Sequence, residues 1–210
     1  MKSIVQGILD YQQEDHPEHQ ALFDELANSQ SPEVLLVTCA DSRINPNLVT
    51  RTAPGDLFVC RNAGNIVPPM PGYAGGVTAS IEFAVSVLGV KDIVVMGHTD
   101  CGAMKGAMNP DAVAHLPSVA NWLGFAKEAT AGVSEADRNC PTTLLKVTEA
   151  NVLLQLEHLK THVSVAEKLN IGQIGLHGWV YHFATGDVTA YDAEADKFIP
   201  FSDHYAALLA

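Results

Sequence analysis

The sequence predicts an α/β fold, with a mainly parallel central sheet flanked by helices. Three short, almost continuously apolar runs, at residues 34–38, 57–60 and 93–96, are typical of buried parallel strands. Residues 73–88 carry small and apolar side chains at helical spacing and stop before Gly89, which predicts a crossover helix between the second and third strands. This order favours right-handed connections, with sites at the carboxyl ends of the strands.

The two ends of the sequence add an arm and a hairpin to this core. Residues 2–11 and 17–27 have apolar side chains three and four apart, and we interpret residues 1–30 as a helical arm whose apolar face needs a partner. Two helices are predicted at 142–159 and 164–169. A C-terminal hairpin follows, from 174–183, a turn at 185–187 and 188–191. No linker is evident, so residues 1–210 are predicted to form one domain.

The composition excludes several classes of protein. Of the 210 residues, 47% are hydrophobic and 17% charged, unlike a disordered chain. The formal net charge of −12 disfavours nucleic acid and anionic membranes, and we expect neither as a partner. The first apolar stretch is broken by Gln6 and Asp10, unlike a signal peptide, so we expect a cytoplasmic protein. Its four cysteines should then remain thiols.

Polar clusters follow the first and third predicted strands. Cys39 opens one cluster, and His98 and Cys101 belong to the other. Two thiolates and an imidazole suit zinc, and three protein ligands leave the fourth position open to water, as in catalytic zinc sites. We therefore predict one zinc ion per chain on these residues. Cys60 and Cys140 are expected to be inert buried thiols.

The other histidines are not expected to bind metal. His177, in a predicted strand, is interpreted as structural. The remaining ones stand in polar or helix-surface contexts, where exposure to solvent is expected: His16, His19, His115, His158, His162, His182 and His204.

Four segments resemble those of β-class carbonic anhydrases. CADSR at 39–43 and GHTDCG at 97–102 are similar to the paired signatures of that family, specific jointly and weak singly. PGDLFVCRNAGNIVPP at 54–69 and LHGWVY at 176–181 are also similar to family segments. The resemblance covers most of the chain. It implies a zinc lyase that reversibly hydrates carbon dioxide to bicarbonate and a proton.

The resemblance also implies roles for individual residues. Zinc would lie on Cys39, His98 and Cys101, beside a catalytic pair of Asp41 and Arg43, with Asp41 as a conditional fourth ligand. Asp41 would accept a hydrogen bond from the attacking oxygen, and Arg43 would clamp the carboxylate and keep it ionised. The alternative for this pair is an ordinary surface ion pair. A homodimer with exchanged N-terminal helices, or a dimer of such dimers, is implied as well.

Within the family, the sequence is similar to the plant-like, non-allosteric subgroup and its bacterial relatives. The residues implied to line the substrate pocket, partly from a neighbouring subunit, are Gln30, Phe58, Phe83 and Gly102. Phe83 falls where many relatives carry tyrosine, and core packing is the simpler interpretation of both phenylalanines.

A bicarbonate effector pocket is known in another subgroup and uses tryptophan, arginine and tyrosine. Arg61 and Tyr181 match two of those positions, but Leu36 stands in place of the tryptophan and has no indole donor. We therefore predict no bicarbonate inhibition through this pocket.

Two other functions stay open at this point. A related small linear molecule such as carbon disulfide or carbonyl sulfide is an alternative substrate for the same zinc site. A non-catalytic zinc or redox-sensing protein, with Cys39 and Cys101 as a switch, is the other alternative. The presence of Asp41 and Arg43 argues against the second.

Overall fold

The computed structural model describes residues 1–210, which form two compact units, Met1–Ser31 and Pro32–Ala210. The first unit is helical, as predicted for the arm, with a π-helical turn at Tyr11–Asp15 between its helices. Its helices are α1 (Lys2–Asp10), α2 (His16–Glu18) and α3 (Gln20–Leu26). None of its side chains is buried within the chain, and α1 exposes an apolar row that includes Ile4, Val5 and Ile8.

The second unit is built on a six-stranded sheet in the order β2-β1-β3-β4-β5-β6. The first four strands pair in parallel and the last two join antiparallel, which confirms the predicted mainly parallel sheet. The strands are β1 (Val34–Cys39), β2 (Leu57–Asn62), β3 (Asp92–His98), β4 (Gly175–Tyr181), β5 (Val188–Asp192) and β6 (Lys197–Pro200).

Helices cover both faces of this sheet. They are α4 (Pro46–Thr50), α5 (Gly76–Phe83), α6 (Gly102–Met108), α7 (Pro110–Val113), α8 (Pro117–Leu123), α9 (Pro141–Lys160), α10 (Val163–Asn170), α11 (Phe201–His204) and α12 (Ala206–Leu209). A π-helical turn, Ala84–Leu88, extends α5, and 3-10 turns lie at Gly124–Thr130 and Glu135–Asp137. None of the helices is long and apolar enough to span a membrane.

The alternation of side chains along β1 creates two apolar cores, one on each face of the sheet. Leu35 belongs to the core that includes Ile81 of α5 and Val152 of α9. Leu36 points the other way, into the core that includes Met104 of α6 and Leu123 of α8. Burial on both faces explains why this strand is apolar without alternation.

Buried amides of α9 hold the loop that follows β2. The Asn151 side chain donates to the Gly64 carbonyl at 3.0 Å, and the Gln155 side-chain oxygen accepts from the Val67 N–H at 2.8 Å. Both amide residues are fully buried. This pairing satisfies loop groups that would otherwise be buried without partners, and it fixes the loop beside the carboxyl end of β1.

The structure corrects several predictions about elements. The crossover helix begins at Gly76, and not at residue 73, because the backbone is still extended at Gly75, its N-cap. The predicted hairpin is present as β4 and β5, but the chain adds β6 at the sheet edge and two short helices. Helices α6, α7 and α8 were not predicted, because their small residues give little helical periodicity.

Several residues lie in surroundings other than those predicted, among them His204, whose side chain is only 22% exposed beside Asp192. His162 is only 3% exposed and pairs with the Pro68 carbonyl, and His158 is half-buried against the Val67 carbonyl. Cys140 is not buried; it precedes α9, where the Thr143 backbone N–H lowers its pKa. Phe83 is 43% exposed, so core packing was the wrong interpretation of this residue.

Candidate metal centre

Two neighbouring strand ends bring the three predicted metal ligands together. Cys39 ends β1 and His98 ends β3, and these strands pair in parallel, so both side chains lie at the same edge of the sheet. Cys101 immediately precedes α6. The ligand atoms of all three residues lie within 4.8 Å of one another, and all three side chains are buried. The spacing suits one shared ion.

The imidazole of His98 has one nitrogen free. Its Nδ1 lies 2.8 Å from the Thr99 carbonyl oxygen, which can only accept a hydrogen bond, so the network assigns the proton to Nδ1. The Nε2 atom then carries a lone pair, and it is buried with no hydrogen-bond partner in the protein. An unpaired buried acceptor is costly, and a metal ion satisfies it.

The sulfur atoms of Cys39 and Cys101 are the source of negative charge at this site. A hydrogen bond from Cys101, together with one from the Gly64 N–H at 3.3 Å from the sulfur, lowers the pKa of Cys39 well below that of a free thiol. The same contact with Cys39, together with burial, raises the pKa of Cys101. The pair therefore shares one proton, which a divalent cation would displace. Two soft sulfurs and an imidazole nitrogen fit zinc.

Glycine is required at position 64. Its φ is +83°, and a Cβ placed there would come within 2.8 Å of the Ala103 Cβ. Because glycine has no Cβ, the backbone at position 64 can pack against Ala103, and from there its amide donates to the Cys39 sulfur.

Asp41 and Arg43 form a bidentate ion pair next to this group. The Arg43 Nε and Nη2 atoms donate to the two Asp41 carboxylate oxygens at 2.9 and 2.7 Å. These hydrogen bonds hold the pKa of Asp41 well below its usual range. The Asp41 Oδ2 atom is 4.0 Å from the free His98 nitrogen, and the guanidinium carbon is 4.4 Å from the centre of the Phe183 ring.

Three further charged residues complete the cluster, and sequence reasoning did not assign them this position. Arg61 donates to the carbonyls of Cys39 and Asp41, at 3.1 and 2.8 Å. Asp100 accepts from Arg43 and from Lys105, and these two partners lower its pKa. Asp100 lies within the quoted GHTDCG motif, so the motif contained the only sequence signal for this residue.

Among the residues predicted to line the substrate pocket, Gly102 lies beside the metal ligands, whereas Phe58 and Phe83 lie together at a distance from them. Gly102 begins α6, next to Cys101. Phe58 pairs with Leu35, four residues before Cys39, which places it ~13 Å along the strand from the metal end. Phe83 contacts Phe58, with ring centroids 6.0 Å apart. Gln30 belongs to the N-terminal unit, and its role stays a prediction.

The comparison with protein families agrees with this site. The model of the family described as "Carbonic anhydrase" matches residues 34–188, which include all the residues of the cluster. A carbonic anhydrase of Pseudomonas aeruginosa is 43% identical over 205 residues, 97% of this chain and 93% of that protein. The chain belongs to the β-carbonic anhydrase family. It is an enzyme that catalyses the zinc-dependent, reversible hydration of carbon dioxide to bicarbonate and a proton.

Solved structures show the same fold in relatives of this carbonic anhydrase. The structure of the β-carbonic anhydrase CcaA is 35% identical, with a TM-score of 0.91, and the match covers 95% of this chain and 98% of that one. A structure of two tetrameric β-carbonic anhydrases from Sordaria macrospora is 28% identical, with a TM-score of 0.63, covering 90% and 92%. The predicted family, fold class, function and cofactor are confirmed.

Proposed function

We propose that Cys39, His98 and Cys101 hold the zinc ion and that Asp41 and Arg43 are the catalytic residues of carbon dioxide hydration in this chain. The observation that carries the proposal is the unpartnered Nε2 of His98, which lies near two buried sulfurs and 4.0 Å from the Asp41 carboxylate. A buried imidazole with a free lone pair beside thiols is a metal-ligand arrangement.

Each side chain then has a defined task. Zinc, when bound, supplies a Lewis acid that lowers the pKa of a water in the position left by three protein ligands. Asp41 is ionised, so it can only accept a hydrogen bond, and the attacking oxygen must turn its proton towards this carboxylate. A lone pair of that oxygen is then left to face the carbon of carbon dioxide.

Arg43 keeps Asp41 available for this task. The bidentate geometry fixes the plane of the carboxylate and neutralises its charge. Without Arg43, the carboxylate would be free to turn towards the metal ligands, since its Oδ2 atom is already 4.0 Å from His98. Arg61 fixes the backbone of the same loop through the two carbonyls.

The ligand assignment is tested by Cys39→Ser and Cys101→Ser, with Cys140→Ser as the matched control outside the site. We expect both ligand variants to lose zinc and activity together, while the control keeps one zinc per chain and the parental rate. Metal analysis and stopped-flow hydration on the same samples measure this. Full zinc occupancy in both ligand variants would reject these ligands.

We also propose that the unit of function is a homodimer, or a dimer of dimers, built with the N-terminal arm. The exposed apolar row of α1 supports this, because such a row is stable in water only against a partner. Phe58 lies far along the strand from Cys39 of its own chain, and Phe83 of α5 packs against Phe58. In this proposal both rings therefore help to line the pocket of a second copy, whose other lining residues are Gln30 and Gly102. The catalytic domain and its arm together span residues 1–210.

Deletion of residues 2–27 tests the dimer. We expect aggregation or unfolding, because the proposed dimer would lose the helices that it exchanges. A milder variant, Ile4→Gln with Ile8→Gln, should shift the assembly towards monomer in light scattering, whereas Gln6→Ala on the opposite face of the helix should not. A fully active, monomeric deletion variant would contradict this proposal.

A cytoplasmic location is proposed as well, because Cys39 and Cys101 bind metal only as reduced thiolates and a reducing compartment maintains them. Cell fractionation with activity measurement tests this location.

A further inference from the structure

Asp100 occupies an unusual position in the loop between His98 and Cys101. Its φ is +60°, in the left-handed region, where asparagine and aspartate are the most tolerated residues after glycine. The conformation directs its carboxylate towards two cations. Its Oδ2 atom accepts from Arg43 Nη1 at 3.0 Å, and its Oδ1 atom accepts from the Lys105 ammonium group.

Arg43 is therefore held on two sides. The Arg43 Nε and Nη2 atoms donate to the Asp41 carboxylate, and its Nη1 atom donates to the Asp100 carboxylate. The Arg43 side chain is 47% exposed, and a single ion pair at such exposure does little to fix a long side chain. Two carboxylates bind different edges of the guanidinium group, and the Phe183 ring packs against its face, so the three contacts together restrict its orientation.

Lys105 balances the charges of this row. The order Asp41, Arg43, Asp100, Lys105 alternates negative and positive, so the four groups sum to zero. One carboxylate oxygen of Asp100 accepts from Lys105, so only the other accepts from Arg43. The Nε and Nη2 edge of the Arg43 guanidinium group therefore binds Asp41 alone in the bidentate manner.

We propose that Asp100, with Lys105 as its counter-ion, is a positioning residue that fixes Arg43 and, through it, the catalytic carboxylate of Asp41. The inference rests on the proposed roles of Asp41 and Arg43. Asp100 acts through Arg43 alone, so its removal matters only while Arg43 is present.

Asp100→Asn is the sharpest variant, because asparagine keeps the size and tolerates the left-handed backbone while removing the charge. We expect unchanged zinc content, and kcat and kcat/KM lowered together by roughly three- to tenfold, since the interaction serves the transition state. In an Arg43→Ala background the same change should alter kcat by less than about twofold. Lys160→Met, which breaks a comparable surface ion pair with Glu157, is the control and should keep the parental rate.

Several outcomes would overturn the inference. One is an equal decrease in kcat from Asp100→Asn in the parent and in the Arg43→Ala background, and another is no decrease in the parent. A third is loss of zinc from Asp100→Asn, which would show that the substitution acts on the metal-binding loop. If Arg43→Ala itself keeps the parental rate, the proposed catalytic pair fails and this inference fails with it. If Arg43→Ala is impaired and Asp100→Asn is not, only the role of Asp100 is rejected.

Discussion

Two histidines on neighbouring parallel strands differ in one respect that separates a metal ligand from a structural residue. His98 ends β3 with one ring nitrogen paired and the other free. His177 lies on β4 opposite Val94, and both of its nitrogens are paired: Nε2 with Asp92 at 2.9 Å and Nδ1 with the Tyr205 hydroxyl at 3.0 Å. A complete set of protein partners leaves no lone pair for a metal.

The hydrogen-bond directions around His177 follow from Trp179. Its indole N–H can only donate, so the Tyr205 hydroxyl accepts from it at 2.9 Å and donates its own proton to His177 Nδ1. The Nε2 proton of His177 then goes to Asp92. This series of hydrogen bonds joins the C-terminal residues to the sheet. His98, in contrast, faces sulfur atoms at the carboxyl ends of the strands.

The largest expected effect comes from His98→Ala. Loss of a partner outside the ligand set typically costs a metal site about 10–100-fold in affinity, so loss of a ligand should cost at least ~100-fold. We expect the purified variant to hold little zinc and to have no measurable hydration activity. Metal analysis and stopped-flow kinetics measure both, and a zinc-loaded, active variant would remove His98 from the site.

Arg43→Ala should have the next largest effect, and on activity alone. The three ligands are untouched, so zinc content should equal that of the parent. Displacement of Asp41 by about 1 Å is enough to cost roughly 100-fold in rate. Near-parental hydration rates in this variant would remove Arg43 from the mechanism.

His177→Phe should act on stability and leave the zinc site intact. The phenyl ring fills the space of the imidazole but cannot pair with Asp92 or Tyr205, and two lost hydrogen bonds cost about 1–3 kcal/mol. Urea unfolding should show this decrease, with zinc content and the rate per folded molecule unchanged. A variant without zinc would show that the two histidines are not functionally distinct.

The smallest expected effect is that of added bicarbonate. Arg61 already donates to the carbonyls of Cys39 and Asp41, and Leu36 is buried in the core with no donor to offer an anion. Because the Arg43 hydrogen bonds lower the pKa of Asp41, this carboxylate stays ionised from about pH 6.5 to 9, and the rate should follow one simple titration. A steep loss below about pH 8 that bicarbonate deepens, after correction for product inhibition, would contradict this prediction.

The sequence alone predicts those elements and site residues that short, local residue patterns encode. The apolar runs predict β1 and β3, which are buried on both faces, and β2, which is half-buried at the edge of the sheet. Cys39 and His98 are the last residues of β1 and β3, and Cys101 lies three residues beyond His98. The resemblance supplied the roles of Asp41 and Arg43.

Features that depend on tertiary contacts were missed. Asn151 and Gln155 look like surface residues of a helix, but the loop after β2 buries them and uses their amides. His162 is buried by the same loop. The contact between Asp100 and Arg43 joins residues 57 positions apart and depends on a left-handed backbone that no local pattern predicts.

The dependence of carbon dioxide hydration on zinc can be measured directly on this enzyme. The enzyme is stripped of metal with a chelator, and carbon dioxide hydration is followed by stopped flow before and after titration with zinc. We predict that activity falls to the buffer rate and returns in proportion to zinc bound, reaching its maximum at about one zinc per chain. Full activity in the metal-free protein, or a buffer-level rate at one bound zinc per chain, would show that zinc at this site does not drive hydration.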